Sequence, residues 1–468
     1  MSSDPLHVLS QLGARAWLVG GAVRDQLLGR PTSDYDVALE GDPEPVAKKL
    51  ARRAAGHAFE LSEQFGVWRV VARDRGWQLD LLPLGGRSIE ADLAKRDLTI
   101  NAIAKPVLGG EPVDPFGGLR DLRERTLRMV WPDAFSHDAL RTLRLARLAC
   151  ELSFAVEPAT REAAARNATG LREVAPERTF AELKRLVATD RAVSGIELIE
   201  ELGIMEVVLP ELIELRGIEQ SRFHHLDVYA HTLEVLAATI ELERDPSSAL
   251  GEHAEAVDGF MRRPLANELT RWQALRFGAL LHDIAKPRTR EVTPQGRVTF
   301  IGHDAAGGEM AKGVLRRLRA SERLAEHVAE LAVHHLHLGF LVHELPLSRR
   351  AIYRYMRRCE TVPVDVTVLS VADRLATRGD RSEEAIVKHL ELAGWMLGEA
   401  LRWVEEPPRP PIRGDALARE LGITPGPELG RILAELEEAS FAEEIQSRQA
   451  AIDLARSLLR ERSIGSRR

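Results

Sequence analysis

The sequence predicts an α/β head followed by a long all-α body and tail, on three observations. Short apolar runs that fit buried strands, Ala16-Trp17-Leu18-Val19, Val37-Ala38-Leu39 and Leu79-Asp80-Leu81-Leu82, are confined to the first part of the chain. From about Leu119 onward, apolar residues recur at helical spacing almost to the end, as in Leu140, Leu143, Ala146 and Leu148, and later Leu275, Ala279 and Leu280. The run Glu405-Glu406-Pro407-Pro408-Arg409-Pro410-Pro411 can continue neither a helix nor a central strand, and it sets a tail apart from the body.

Taken in chain order, the first strand runs into Gly20-Gly21, a turn that Val23 to Leu28 can continue as a helix. Glycines there let backbone N–H groups approach a phosphate, and Arg24 adds a permanent positive fork. Asp34 and Asp36 follow. On an extended segment residues two apart share a face, so both carboxylates can reach one Mg²⁺ ion, a spacing suited to metal-assisted phosphoryl transfer. Asp80, on a neighbouring strand, is the candidate third carboxylate. A Gly-Gly turn or an Asp-x-Asp alone is commonly only a turn or a cap; their order, followed by an apolar strand, carries the chemical reading.

The pattern continues in Lys95-Arg96-Asp97-Leu98-Thr99-Ile100-Asn101-Ala102, in Asp114-Pro115-Phe116-Gly117-Gly118-Leu119-Arg120-Asp121-Leu122, in Ser136-His137-Asp138-Ala139-Leu140-Arg141 and in Glu177-Arg178-Thr179-Phe180-Ala181-Glu182. Together these segments resemble the nucleotidyltransferases of the DNA polymerase beta superfamily, specifically the bacterial and eukaryotic (class II) tRNA nucleotidyltransferases and their poly(A) polymerase relatives. Lys95, Leu98 and His137 stand where that family commonly has Arg, Phe and Glu. The resemblance implies two-metal transfer at Asp34 and Asp36, with Gly20, Gly21 and Arg24 holding the triphosphate and Arg96, Asp97 and Asn101 sensing the ribose. It also implies a hinge at Asp114 to Leu122 and a brace between neck helices at Glu177 to Glu182. Asp138 and Arg141, three apart, are expected on one helical face, where a carboxylate and a guanidinium match the Watson-Crick edge of cytosine or adenine. Arg144 and Arg147 extend that set as local positive surface.

The chain has 468 residues, 44% hydrophobic and 29% charged, with a formal net charge of −7. That length predicts several domains. A net negative charge is awkward for an RNA-binding protein, so contact with tRNA is expected to rest on local runs such as Arg141, Arg144, Arg147, Lys184, Arg185 and Arg191. No apolar run approaches the roughly 18 residues of a membrane span, and Met1 to Pro5 lacks a basic and apolar leader, so the expected location is the cytoplasm. Cys150 and Cys359, far apart in helical-looking surroundings, argue against a disulfide framework or a cysteine-based metal site.

In the body, His231, His282-Asp283, His303, His334-His335 and Asp373 follow in the order of the HD phosphohydrolase superfamily, and Lys286 fits its His-Asp-x-x-Lys pattern. Imidazoles and carboxylates are the usual ligands of a divalent transition metal, and His231, His282, Asp283, His303, His334 and Asp373 are the expected set. The stretch Glu243 to Pro264 is expected to be a polar connection between helices. In the tail, Ile412 to Leu417 and Leu421 to Pro427 resemble the tRNA-elbow-binding segment of the same family, and Leu429, Ile432, Leu433 and Leu436 supply an apolar face. The expected divisions are a nucleotidyltransferase head at 1–122, a helical neck at 123–192, an HD-containing body at 193–405 and a tRNA-binding tail at 412–468.

The expected activity is template-independent addition of CMP, and of AMP where the final adenylate is also added, to the tRNA 3′ end from CTP and ATP. The segment Pro83 to Asp92 is short where full CCA-adding relatives commonly carry an extended flexible loop, which leans toward an enzyme adding only CC. A poly(A) polymerase shares the head motifs but not the tail. Intact Asp34 and Asp36 argue against an HD phosphohydrolase with a vestigial head, and a pure tRNA-binding protein has no need of paired metal carboxylates.

Overall fold

A six-stranded mixed sheet is built from β1 (Ala16–Val19), β2 (Asp34–Leu39), β3 (His57–Ser62), β4 (Val67–Val71), β5 (Gln78–Pro83) and β6 (Ala104–Pro106), in the order β3-β4-β5-β2-β1-β6. The computed structural model describes residues 4–465 apart from 64, 75, 85–87, 221–225 and 379–381. Strand β2 lies between β1 and β5, so Val37, Ala38 and Leu39 are buried while Asp34, at the strand's start, is exposed. Strands β2 and β5 run parallel with Asp36 opposite Asp80, and in a register-matched pair both side chains leave the same face. Strands β4 and β5 run antiparallel and set Arg69 opposite Asp80. The helix Pro43–Arg53 starts at an Asp42 cap with proline in its first turn, ends on Arg52 and Arg53, and buries Ala47, Leu50 and Ala51.

The chain divides into two compact units, Met1–Val208 and Leu209–Arg468. In the first, the sheet is followed by a 3-10 turn, Thr99–Asn101, and by the helices Gly118–Arg123, Leu140–Leu152, Pro158–Asn167, Pro176–Val187 and Ala192–Glu201. The Asp114 to Leu122 segment is tightly tied. Asp114 accepts from the Gly118 and Leu119 amides at 2.7 and 2.9 Å, and a Cβ on Gly118 would lie 2.2 Å from the Thr99 carbonyl. Gly195 is also tightly packed, since a Cβ there would meet Leu186 at 2.7 Å and the Cys150 sulfur at 3.0 Å. Extended pairing does not stop at Leu119 as expected, because Thr126–Leu127 pairs in parallel with Ala155–Val156.

The second unit is helical, with short two-stranded ribbons at Pro264–Ala266 with Leu269–Thr270 and at Glu291–Val292 with Val298–Thr299. Its main helices include Val228–Arg244, Arg271–Leu281, His303–Arg317, Glu322–His334, Arg349–Arg358 and Pro363–Ala376. Asp227, Ser321 and Ser348 cap three of them, and Thr270 with Gln273 forms a full capping box on a fourth. The stretch Glu243 to Pro264 is not a polar connection. It contains the helix Ala254–Met261, which buries Val257, Phe260 and Met261, and its Asp258 accepts from the Trp272 indole at 3.0 Å. In the tail, Leu429, Ile432 and Leu436 are buried with Ile412, Leu417 and Ile452, and Leu433 packs against them. Among the described residues no helix is long and apolar enough to cross a membrane.

Candidate active site

Strand β1 hands over to the helix Gly21–Leu27 through Gly20, whose φ of 71° and ψ of −141° belong to a region that side chains avoid. The space is equally restrictive. A Cβ at Gly20 would stand 2.8 Å from Arg96 Nη1 and 3.4 Å from Asp36 Oδ2. The glycine turn, Arg96 and Asp36 therefore meet at one point. Burial lifts the Asp36 carboxyl from its ordinary 3.8 to about 6; Arg96 opposes the rise, while Asp34 and Asp80 add to it. Asp80 is held from the other side by Arg69, which grips both its oxygens at 2.7 and 2.8 Å. Three carboxylates in one patch, one of them strained toward protonation, fit a hard divalent cation with oxygen ligands.

Arg24 does not reach into this patch. It is 7% exposed, donates through Nε and Nη2 to Asp25, both at 3.0 Å, and through Nη1 to Asn101 at 2.9 Å. Its place between the helix and the 3-10 turn makes it a strut, and its Nη2 lies 3.4 Å from where a Cβ on Gly21 would stand. From Asn101 the network continues inward. Asn101 donates to Asp97 at 3.0 Å, Arg144 donates to Asp97 at 3.2 Å and to Glu182 at 3.0 Å, and Arg147 donates to Glu182 at 2.5 Å. Burial alone would raise the Asp97 carboxyl, but Arg144, Asn101 and the Leu98 amide pull it below its usual range. Burial likewise opposes the Arg144 charge, and Asp97 and Glu182 outweigh it. Arg147 is thus an internal ion-pair member and not the open positive surface predicted, whereas Arg144, paired to two carboxylates, keeps a third of its side chain exposed. Arg144→Ala should leave Asp97 and Glu182 each one charged partner short and lower stability by about 2 kcal/mol; urea denaturation checks this.

The base-reading pair also departs from expectation. Asp138 is not on a helix with Arg141: it has φ −147° and ψ 102° at the end of Ala134–His137, just before Leu140–Leu152 begins. Its carboxylate accepts from the Leu140 amide at 3.2 Å and from Arg178 at 2.9 Å. Arg141 donates to the backbone carbonyls of Lys95 at 2.8 Å and Ala134 at 3.2 Å, and burial lowers its affinity for the proton. Sequence reasoning treated Arg178 only as part of a brace and did not see Arg69. The alternation Trp68-Arg69-Val70, with a cation on an otherwise apolar strand, was the available signal for the latter. Of the short Pro83 to Asp92 segment, Gly85, Gly86 and Arg87 lie outside the described residues. Ile89–Leu93 is a helix capped by Ser88, from which Asp92 accepts a bond from Arg96 at 3.2 Å.

In the second unit four histidines surround Asp283. His282 and His303 place Nε2 at 3.1 and 3.3 Å from its oxygens, His335 at 3.7 Å and His231 at 3.9 Å, and Lys286 pairs with it at 2.6 Å. His282, His303 and His335 each turn Nδ1 onto a backbone carbonyl, of Ala279, Phe300 and Ala332 at 2.9, 2.6 and 2.7 Å. A carbonyl only accepts, so Nδ1 carries a proton and Nε2 of each ring, when neutral, aims a lone pair at the carboxylate; burial lowers the proton affinity of His282, and Asp283 beside it more than restores it. Lone pairs facing a carboxylate, with His282 Nε2, His303 Nε2 and both Asp283 oxygens outside hydrogen-bond geometry, fit a metal ion. Burial raises and His282 and Lys286 more than offset the Asp283 proton affinity, so it stays well below the carboxylate range. Burial, with His282 beside it, drives His335 down to about 3. Asp373 adds a carboxylate 3.0 Å from His231. The expected ligand His334 is displaced by its neighbour: His334 turns to Glu330 at 3.0 Å and His337 at 3.2 Å, and His335 faces Asp283. A cleft of 1120 Å³ opens beside the cluster, lined by Lys286, Phe300, His303, His335, Asp373 and His389 among others.

Comparison with known proteins matches three family models: the poly A polymerase head domain at residues 16–82 and 79–128, the probable RNA- and SrmB-binding site of polymerase A at 153–215, and the HD domain at 228–378. The chain is 38% identical over 442 residues to the A-adding tRNA nucleotidyltransferase of Deinococcus radiodurans, covering 93% of this chain and 94% of that protein. It is 36% identical over 445 residues to the CC-adding tRNA nucleotidyltransferase of Thermus thermophilus, covering 93% and 92%. A solved CCA-adding enzyme shares the fold, with a TM-score of 0.64 at 18% identity over 97% of this chain and 94% of that one. With its glycine turn, carboxylate patch and histidine cluster in the matched segments, the chain belongs to the family of tRNA nucleotidyltransferases and poly(A) polymerases and carries that family's HD domain.

Proposed function

We propose that the head adds CMP and AMP from CTP and ATP to the 3′ end of tRNA without a nucleic-acid template, releasing pyrophosphate. The observation that carries this reading is the convergence of Asp34, Asp36 and Asp80 on one face of adjoining strands beside the Gly20 turn. Asp34 and Asp36 would hold Mg²⁺, with Asp80, kept in place by Arg69, as the third carboxylate. Bound there, the ions supply Lewis-acid polarisation of the transferring phosphoryl group and neutralise its charge. Gly20 and Gly21 bring backbone N–H groups toward the triphosphate, and Arg96 Nη1 faces the same turn. Asp97 and Asn101, braced by Arg24 and Arg144, shape the ribose pocket. Asp138 and Arg141 read the base edge. Arg141 spends two of its five N–H donors on backbone carbonyls, and the Asp138 oxygens keep lone pairs beyond those used by Leu140 and Arg178. Arg147 positions Glu182 and does not touch nucleotide in this reading.

The second cluster, His231, His282, Asp283, His303, His335 and Asp373, would hold a divalent transition metal and serve phosphoester hydrolysis in the adjoining cleft. The test of the main reading uses tRNAs ending before the CCA, after C and after CC, with CTP and ATP supplied separately under Mg²⁺ and the ends sequenced. Cytidylates on the first two and one adenylate on the third are expected. Failure to incorporate either nucleotide would sink it. A second reading, an enzyme that makes only part of the CCA end, is favoured by the short link between β5 and the Ile89–Leu93 helix and by the likeness to the A-adding and CC-adding relatives. Two cytidylates without adenylate, or adenylate alone, select it.

A further inference from the structure

We propose that His334, His337 and Cys359 form a second metal site in the body, for a zinc-class divalent ion, distinct from the Asp283 cluster and contrary to the expectation from cysteine spacing, which concerned pairs of cysteines and not one cysteine joined by two histidines. His334 closes the helix Glu322–His334, His337 opens the helix His337–Leu341 one turn on, and Cys359 caps the C-terminus of Arg349–Arg358. Their ligand atoms all lie within 4.8 Å of one another. His334 Nδ1 and His337 Nδ1 are 3.2 Å apart, close to the roughly 3.4 Å edge of a tetrahedral site with Zn–N bonds of about 2.05 Å. Two imidazole nitrogens and a sulfur form a soft donor set that suits zinc over magnesium or calcium. Three protein ligands leave a fourth position for water, and the half-buried His337 ring provides the way in.

The surroundings orient the ligands. Glu330 sits 3.0 Å from His334 Nε2 and fixes the proton there, so Nδ1 of His334 is a lone pair; a carboxylate behind a ligating histidine is a recurrent metal-site arrangement. Without metal, a proton relay from Arg358 through His337 to His334 satisfies the rings, with Arg358 Nη1 at a long 3.4 Å from His337 Nε2. That relay leaves out Cys359, fully buried, whose thiol makes no described hydrogen bond. Coordination would use it. The metal–sulfur bond forms as the thiol proton leaves to solvent, the His337 proton moves from Nδ1 to Nε2, and the exposed Arg358 turns away.

Cobalt(II) titration of chelator-stripped full-length protein tests this, because a thiolate ligand adds an intense near-ultraviolet charge-transfer band that the sulfur-free Asp283 cluster cannot produce. The expected result is one such band per chain, bleached by zinc, retained in Cys150→Ser and lost in both Cys359→Ser and His337→Ala. His337 is only half-buried, so its variant stays folded, verified by circular dichroism, even where the buried Cys359 substitution does not. Absence of the band in the unmodified protein, or its survival in folded His337→Ala and Cys359→Ser, overturns the proposal.

Discussion

Asp36→Ala should reduce nucleotide incorporation about a thousandfold or more, the equivalent of about 4 kcal/mol of transition-state stabilisation. Asp36 faces Asp80 across β2 and β5 and shares its face with Asp34, so no neighbouring carboxylate can replace it without moving a strand. Single-turnover incorporation of labelled CTP reads the loss, and a decrease of less than tenfold would remove Asp36 from the metal-binding set. The same residue predicts a pH signature. Its folded pKa of about 6 lies above its ordinary 3.8, so its protonation favours the folded state at low pH, and that contribution disappears as pH rises through about 6. Above that pH the metal-free protein carries a buried, crowded carboxylate, which a bound cation relieves. Thermal stabilisation by Mg²⁺ should therefore grow between about pH 5 and about pH 7.5, the flanks of that transition, and vanish in Asp36→Asn. Equal Mg²⁺ stabilisation of the variant would contradict the assignment.

Asp283→Ala should destabilise the second unit by about 3–5 kcal/mol and abolish metal retention at the histidine cluster. The carboxylate is buried among four imidazoles and Lys286. Once it is removed, Lys286 keeps the Gln220 carbonyl at 2.6 Å and the face of the Phe300 ring at 5.4 Å, but no carboxylate among its described partners. Urea denaturation gives the stability change, and elemental analysis of the purified protein gives the metal content. Nucleotide incorporation per folded molecule should be unchanged, since the carboxylate patch lies in the other unit; loss of both activities would show that the two sites are coupled. Asp283→Asn separates charge from shape. In the unmodified protein, the depressed Asp283 and His335 act in one direction. Each contributes stability above its ordinary pKa, and that of His335 is lost as pH falls from 6.5 toward about 3. On acidification of metal-free protein through that window these two contributions should fall, opposite in sign to those of Asp36 and of His282, whose raised proton affinity adds stability at low pH, and the stability difference between the unmodified protein and His335→Ala reads the His335 part.

Much of the site was legible in the chain because its signals are local. Gly20-Gly21 after a four-residue apolar strand, and carboxylates two apart on the next, depend only on residues close in sequence, and period-two geometry puts them on one face. The helical body and the apolar face of Leu429, Ile432 and Leu436 follow from spacing in the same way. Partner choice was not legible. Nothing near Arg24 in sequence says that it turns to Asn101, 77 residues away, or that Arg144 and Arg147 converge on Glu182. His334 and His335 are chemically identical and adjacent; about 100° of helical rotation separates them, and packing alone aims one at Asp283 and the other toward Cys359. By itself the sequence determined the kind of chemistry and the segments that carry it. Tertiary structure decided which charged side chains are open to a ligand and which are consumed in the interior, because a buried ion must find a partner and that partner comes from a distant strand or helix.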